Sequence, residues 1–396
     1  MKTAMVVGGG IAGLTAAIGL RRVGWQVRVL ERAAVLYDAG AGISVQGNGM
    51  RSLDVLGVGD AVRAVGEAQG SGGIRVPGGK WLSHMDAEGG ARLLGSPVYS
   101  FLRADLHRAL RSALPEGCLV TGATVHHVVR KADAAEVCFT RDGADASETV
   151  DLVVAADGVH SRVRTQLFPD HPGVVHGGST VWRGVTSVPV DTEADIDQTW
   201  GRGTEFGSTR LSDGRIEWHA SVNSAEGERH GDPLTEVTRR FGTWHAPIPA
   251  LLAATPPGTV LEHDVYELRT PLPSYVADRV VLIGDAAHAM APHLGQGASQ
   301  AIEDAVCLAA YLTTDPTIDA ALAHYDRERR PRTQAVVRAS HQTGRIGQRL
   351  HGRLAVALRN AGIRATPSSV ALKAMVKHAM WEPPVRLDDL VHQPAR

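Results

Sequence analysis

The residues best placed to do chemistry sit in three short segments: Gly8-Gly9-Gly10-Ile11-Ala12-Gly13, Ala156-Asp157-Gly158 and Gly284-Asp285. Each closes an apolar run. In the first, Gly8 permits a tight turn, Gly10 lets backbone approach a pyrophosphate, and Gly13 lets the helix lie close to its strand, while the helix N-terminus, with Ala12 in its first turn, offers free N–H groups to the anion. Glu31 lies 18 residues beyond Gly13, where a carboxylate can accept hydrogen bonds from both ribose hydroxyls of an adenosine. An acid there disfavours a 2′-phosphate. Asp285 leads into a small-residue loop, Ala286 to Ala298, that runs straight into a helix. A strand-tip carboxylate can bind a polyol chain, and a helix N-terminus can face an electron-poor heterocycle that becomes anionic on reduction, a preference of about 0.3–1 kcal/mol. Three such segments, spread over nearly the whole chain, point to a flavin bound by a polypeptide that leaves a nucleotide-binding domain and later returns to it.

The elements that must hold these segments are legible in outline. Met5-Val6-Val7 reads as a strand, Leu14, Ala17 and Ile18 recur at helical spacing until Gly24, and Val27 to Leu30 alternates as a second strand ending at Glu31. The first sixty residues are thus a β-α-β unit, followed by the Gly-rich stretch Gly40-Ala41-Gly42-Ile43-Ser44. Residues 69–97 read as an excursion of loops and short strands, and helical spacing resumes at Leu102, Leu106 and Leu110. Strand-like runs at 118–120, 124–129 and 135–140 lead to a buried strand from Asp151 to Ala156, with Asp157-Gly158 at its tip. From about 176 to 270 the pattern is β. Arg279 to Ile283 is again a strand, and Gly297 to Leu312 a helix.

From Arg332 to Arg364 there are seven arginines and no acidic residue. Arg345, Arg349 and Arg353 fall at i, i+4 spacing beside Ile346, Leu350, Leu354 and Leu358, which predicts a helix with an apolar face and a basic flank. The plain reading packs it on the protein's own body; the alternative lays it on a membrane surface or a partner.

Bulk properties bound the function. Lys+Arg 41 against Asp+Glu 42 gives a net charge of −1, so an extended nucleic-acid surface, which needs a strong basic excess, is not expected. Three separated cysteines, Cys118, Cys138 and Cys307, make neither a disulfide framework nor a metal cage. No segment reads as a signal peptide or membrane span. The expectation is a soluble, cytoplasmic monomer or homodimer acting on a small molecule.

At this point the chain resembles a family, the class A FAD-dependent aromatic monooxygenases of the para-hydroxybenzoate hydroxylase fold, and most of all their salicylate, 3-hydroxybenzoate and urate hydroxylase branch. The likeness covers about residues 3–345 and is most specific from Leu282 to Gly297 with Glu303-Asp304-Ala305. It implies an α/β fold: a Rossmann-like FAD-binding domain from 1–70, 98–175 and 271–345, an inserted mixed β-sheet substrate domain from 71–97 and 176–270, and C-terminal helices over 346–396. It implies that Glu31 and Arg32 hold the adenosine, Ser44 and Arg103 line the flavin path, Val125 gives backbone contacts near adenine, and Asp157 is the Asp-Gly motif residue associated with FAD and nicotinamide use. Asp285 would bind the ribityl chain, with Leu294, Gly295, Gln296, Gly297 and Ala298 around the isoalloxazine. Ser299 departs from the pattern, since many members have Asn there. The tryptophan motif of flavin halogenases is absent.

The resemblance implies that NAD(P)H, as co-substrate, reduces FAD, and that O2 then yields a flavin C4a-hydroperoxide whose distal oxygen passes to an electron-rich aromatic, usually a phenol. It leaves NADH and NADPH undistinguished. The candidates for substrate contact and catalysis are His219, Arg183 and Arg210, in the expected substrate sheet, and His293, in the flavin loop. Two rivals stay open: a flavin reductase or dehydrogenase on the same fold without oxygen transfer, and a non-catalytic FAD carrier.

Overall fold

The computed structural model describes residues 1–36, 41–86, 88, 96–367, 370 and 377–391. Gly40 of the glycine-rich stretch and most of 87–95 in the expected excursion lie outside the described residues.

Six strands form the first sheet in the order Val276–Ala277, Val280–Leu282, Leu152–Ala155, Thr3–Val7, Gln26–Glu31 and Leu119–Thr121. All but the first run parallel. Its central strands are buried apolar runs, as strands covered on both faces must be. The helices Ile11–Arg22 and Gly297–Thr314 cross closely: a Cβ on Gly19 would lie 3.2 Å from the Ala309 Cβ. Val7 pairs with Ala155 and Ala155 with Leu282, so the ends of three strands distant in sequence lie side by side.

The second sheet has seven strands, ordered Leu261–Glu267, Val175–Val185, Ile216–Asn223, Thr204–Arg210, Ile196–Trp200, Gly72–Arg75 and Trp81–Met85. Side chains alternate across it. Trp182, Phe206, Trp218, Ala220 and Val222 go to one face and form a core with Phe241 and Leu251. Arg183, Glu205, His219 and Ser221 therefore take the other. Truncating either fully buried tryptophan to alanine would cost about 3–5 kcal/mol. Two three-stranded sheets complete the fold, one of them joining Gly42–Val45, Val98–Leu102 and Glu67–Gln69.

Several elements differ from the sequence reading. Two helices, Pro233–Phe241 and Ile248–Ala253, interrupt the stretch read as β. The signal was present: Asp232 accepts a hydrogen bond from the Thr235 N–H, with Pro233 in the first turn. The strand Ala144–Val150 was missed because nearly all of it is exposed and carries no apolar alternation. The basic C-terminal helix is two helices. Ile318–Ile346 stops at Gly347 and a new one, Arg353–Ala365, begins after Gly352, so Arg345, Arg349 and Arg353 do not share a helix face.

Candidate active site

The fingerprint glycines each do a separable job. Gly8 has φ 106°, and a Cβ there would lie 2.4 Å from the Ala156 carbonyl oxygen. A Cβ on Gly13 would lie 1.9 Å from the Gly8 carbonyl oxygen. Gly10, by contrast, has nothing within 4 Å of such an atom, and the helix it opens has no side-chain cap. Its first N–H groups therefore face open space. Glu31 Oε2 accepts from the Gly9 N–H at 2.8 Å and Oε1 from the Ala33 N–H at 2.9 Å; each oxygen keeps a lone pair for a ribose hydroxyl. His107 Nε2–H donates to the Gly9 carbonyl at 2.7 Å, so the ring carries its proton on that nitrogen.

Asp157 caps the helix Arg162–Leu167, its Oδ2 accepting from the Arg162 and Val163 N–H groups, while its buried Oδ1 has no partner among the described residues. Gly284 closes the third strand with φ 57°, and a Cβ on it would lie 2.8 Å from the Ala12 Cβ and 3.3 Å from the Ala301 Cβ. The fingerprint helix, the Gly284-Asp285 turn and the start of the Gly297–Thr314 helix thus meet at one point. Asp285 is exposed there.

A buried polar network holds that turn. Asp304 Oδ2 accepts from the Gly284 N–H at 2.9 Å and from His288 Nε2 at 2.6 Å, and its Oδ1 takes Arg329 Nε at 2.8 Å. His288 and Arg329, with these hydrogen bonds, offset the cost of burying the Asp304 carboxyl and hold it down at about 2. Arg329 also meets Glu303, which Arg332 pairs at 2.7 Å, and Asn48 Nδ2 donates to Gln296 Oε1 at 2.9 Å. Glu303 and Asp304, both fully buried, are therefore positioning residues for the loop.

The loop itself turns at Gly295, left-handed with φ 59°, and enters the helix through Gly297, whose added Cβ would meet nothing within 4 Å. Gln46 Nε2 donates to the Leu294 carbonyl at 2.6 Å, and Ser299 Oγ accepts from the Gln46 N–H at 3.1 Å. Ser299 is fully buried, fixing the loop rather than lining the cleft. Ala298 is half-buried beside it. Ser44 lies on the strand Gly42–Val45 and bonds Ser100 across it at 3.1 Å; Arg32 is exposed beyond Glu31, and Val125 is half-buried in the strand Ala123–Arg130.

Opposite, the free face of the second sheet presents a charged cluster. Glu205 Oε1 lies 3.4 Å from His219 Nε2, and its Oε2 lies 3.9 Å from His293 Nδ1. Burial would raise the Glu205 carboxyl, but the two histidines and the Trp200 side chain overcome this and hold it below the usual range. It is an ion. Burial pulls the His293 imidazole down despite Glu205, leaving the ring neutral. Arg183 Nη1 donates to the Gly42 carbonyl at 3.3 Å, joining this sheet to the strand Gly42–Val45. Arg103 faces water yet is walled in by protein; that desolvation lowers its pKa, Asp285 opposing and Arg183 adding to the effect. Nearby His263 is driven down to about 4, first by desolvation and then by Arg183.

His219, His293 and Arg183 are thus brought together, with Arg103 and Asp285. Arg210 is not. It falls on the Phe206 side of its strand and donates to Thr192 Oγ1 at 2.9 Å, with Asp195 at 3.5 Å. Sequence reasoning missed Glu205, since a lone glutamate on a strand gives no signal. It also missed Gly344, where a Cβ would lie 2.3 Å from the His293 ring, so that this glycine of the long helix makes room for the imidazole.

The cleft lies beyond the carboxyl ends of parallel strands, as open α/β sheets place their ligands. Residues 1–340 match the FAD binding domain family, and the chain belongs to it, among flavoprotein monooxygenases of the para-hydroxybenzoate hydroxylase fold. It is similar to the aurachin C monooxygenase/isomerase of Stigmatella aurantiaca, 38% identical over 348 residues that cover 87% of this chain and 90% of that one. It is also similar to 3-hydroxybenzoate 6-hydroxylase 1 of Aquipseudomonas alcaligenes, 34% identical over 352 residues, 84% and 86% of the two chains. The crystal structure of Klebsiella pneumoniae HpxO complexed with FAD and uric acid matches with a TM-score of 0.88 at 27% identity, over 96% of this chain and 97% of that one. These relatives do not favour the reductase reading. No described helix is long and apolar enough to cross a membrane, and no described group of His, Cys, Asp and Glu could hold a metal ion.

Proposed function

We propose that this chain uses NAD(P)H and O2 to hydroxylate or epoxidise an electron-rich aromatic small molecule, phenolic or polycyclic, with FAD held between its two sheets. The observation that carries the reading is the meeting of three strand-tip motifs opposite the Glu205, His219 and His293 cluster. The residues fit the cofactor: two helix N-termini without a side-chain cap open onto space at Gly10 and Gly297, and Asp157 Oδ1 is a buried acceptor without a donor among the described residues.

In this reading the segments 1–70, 98–175 and 271–345 bind FAD, and 71–97 with 176–270 bind the aromatic. Glu31 takes the ribose hydroxyls, the Ile11–Arg22 helix start the pyrophosphate, and Asp285 the ribityl chain, while Leu294 to Ala298 border the ring. When bound, the flavin supplies hydride acceptance and oxygen activation. The chain's own residues orient the substrate and manage its proton. A phenol reacts faster as the phenolate, and the imidazole of His293, which burial keeps neutral, can take that proton while Glu205, also held by His219, steadies the imidazolium formed. Arg183 and Arg103 stabilise the anion that results. The 3-hydroxybenzoate of one relative's name carries an ionisable phenolic proton, and the uric acid bound to HpxO carries ionisable ring N–H groups.

The test is direct. The purified protein should be yellow, and a panel of aromatic acids and polycyclic phenols should contain a compound that stimulates NAD(P)H oxidation and acquires one atom from isotopically labelled O2. Stimulated oxidation with a reduced alkene as product, and no label incorporated, would support a reductase instead.

A further inference from the structure

The helix Arg353–Ala365 is turned inside out. Leu354, Leu358, Ala361 and Ala365, spaced by four, three and four residues, share one face, and that face points to water: Leu354 is 74% and Leu358 66% exposed. One of its three arginines points inward. Arg359 is buried, its Nη1 donating to the Gly347 carbonyl at 2.6 Å and its guanidinium lying 5.5 Å above the Trp200 ring. Val356, Asn360 and Ile363 flank it on the protein side. Ile346, whose carbonyl also accepts from Arg359, is 59% exposed and adds a further outward apolar side chain beside the helix.

Among the described residues of the helix itself, every charge beside the ridge is positive. Arg353 and Arg364, eleven residues and so about three turns apart, lie on one seam between the outward and inward faces, both exposed. Arg345 projects nearby from the end of the preceding helix. These three form no ion pair among the described residues. From Arg329 to Trp381 the sequence holds no acidic side chain at all, in a protein whose net charge is −1.

We infer that this helix docks the protein on an anionic lipid bilayer, with Leu354, Leu358 and Ile346 entering the headgroup region and Arg345, Arg353 and Arg364 meeting lipid phosphates. An apolar ridge with a cationic border is the form of an interfacial helix, and long arginine side chains reach upward to phosphate while their stems lie against the acyl boundary. At thirteen residues the helix is too short to span. A second copy packed antiparallel on the ridge is disfavoured as occupant, because a two-fold axis across the helices would set arginine seam against arginine seam.

The test uses the full-length protein and extruded vesicles in a flotation assay. Vesicles of phosphatidylcholine with phosphatidylglycerol should carry the protein upward at low salt, and vesicles of phosphatidylcholine alone should carry much less. Raising the salt should release it. The Leu354→Asp/Leu358→Asp variant should lose binding, and Arg353→Glu/Arg364→Glu should weaken it on the order of tenfold or more. Both should keep the wild-type thermal midpoint and flavin content, since they alter only exposed side chains. Wild-type protein that stays unbound with both vesicle types would overturn the inference. So would equal binding to neutral and anionic vesicles, or a wild-type dimer that the leucine variant dissociates, which would give the ridge to a second copy.

Discussion

At the residue scale, the site divides into groups that wait for a ligand and groups that hold others in place. Asp285 belongs to the first kind. It stands exposed at the end of a turn fixed entirely by its neighbours, so its removal should subtract one or two charge-assisted hydrogen bonds, each about 1.5–3 kcal/mol, without disturbing the fold. Asp285→Ala should bind FAD on the order of tenfold to a hundredfold more weakly, measured by flavin fluorescence titration; a variant purified with its full complement of flavin would contradict that role. Glu205 is of the second kind. Its charge raises the pKa of His293 against the pull of burial, so Glu205→Gln should leave that imidazole harder to protonate. The acidic limb of the kcat/KM profile should then move to lower pH. An unmoved limb in an active variant would show that His293 does not carry the substrate proton.

At the scale of elements, two helices do most of the positioning. The Gly297–Thr314 helix reaches back through Asp304 to the Gly284 N–H, and the Ile318–Ile346 helix supplies the buried Arg329 that makes this tolerable. Removing one charge from a buried pair costs about 3–5 kcal/mol, and Asp304→Asn should lower the thermal midpoint accordingly. The pH dependence follows from the sign of the shift. The folded carboxyl at about 2 lies below its ordinary 3.8, so the unfolded chain binds the proton more tightly. The stabilisation is complete above about pH 4 and is lost as pH falls through about 2. Denaturant titrations across that window should show the loss in the wild type and little of it in Asp304→Asn. The long helix acts on His293 too. Gly344→Ala puts a methyl group 2.3 Å from where the ring now sits, so the ring must move; kcat should fall while flavin content is kept. Unchanged kcat would place His293 outside the chemistry.

At the scale of the whole molecule, the proposed FAD cleft lies by the two large sheets that the chain visits in turn. A ligand that binds only the folded state stabilises it by mass action, about 2.7 kcal/mol at a hundredfold excess over Kd. Stripping the flavin should therefore lower the thermal midpoint, and titrating FAD back should restore it in a concentration-dependent way. A midpoint indifferent to FAD would mean that the cleft does not hold it.

How much of this was legible beforehand depended on the range of the interaction. The fingerprint, Glu31, Asp157 and Asp285 could be read because each is a local event: a glycine where no Cβ fits, or a carboxylate at the end of an apolar strand. The helices at Pro233 and Ile248 had a local signal in Asp232-Pro233, but the surrounding β pattern obscured it. The Glu205 cluster was not legible, since Glu205, His219 and His293 meet only through a cross-strand register and a loop some seventy residues on. Arg210 shows the same limit from the other side: it shares a strand with Glu205, yet an odd separation sends it to the opposite face. Gly344 gives no clue that it exists to accommodate an imidazole. Nor could the basic C-terminal run reveal that its leucines face outward, for periodicity defines a face but not what covers it. The sequence alone determined the cofactor class and the placing of three segments at strand ends, because backbone geometry at short range demands those residues. Tertiary packing alone decided which charges meet across the cleft, because side-chain proximity over hundreds of residues is set by sheet order and register, which no local pattern encodes.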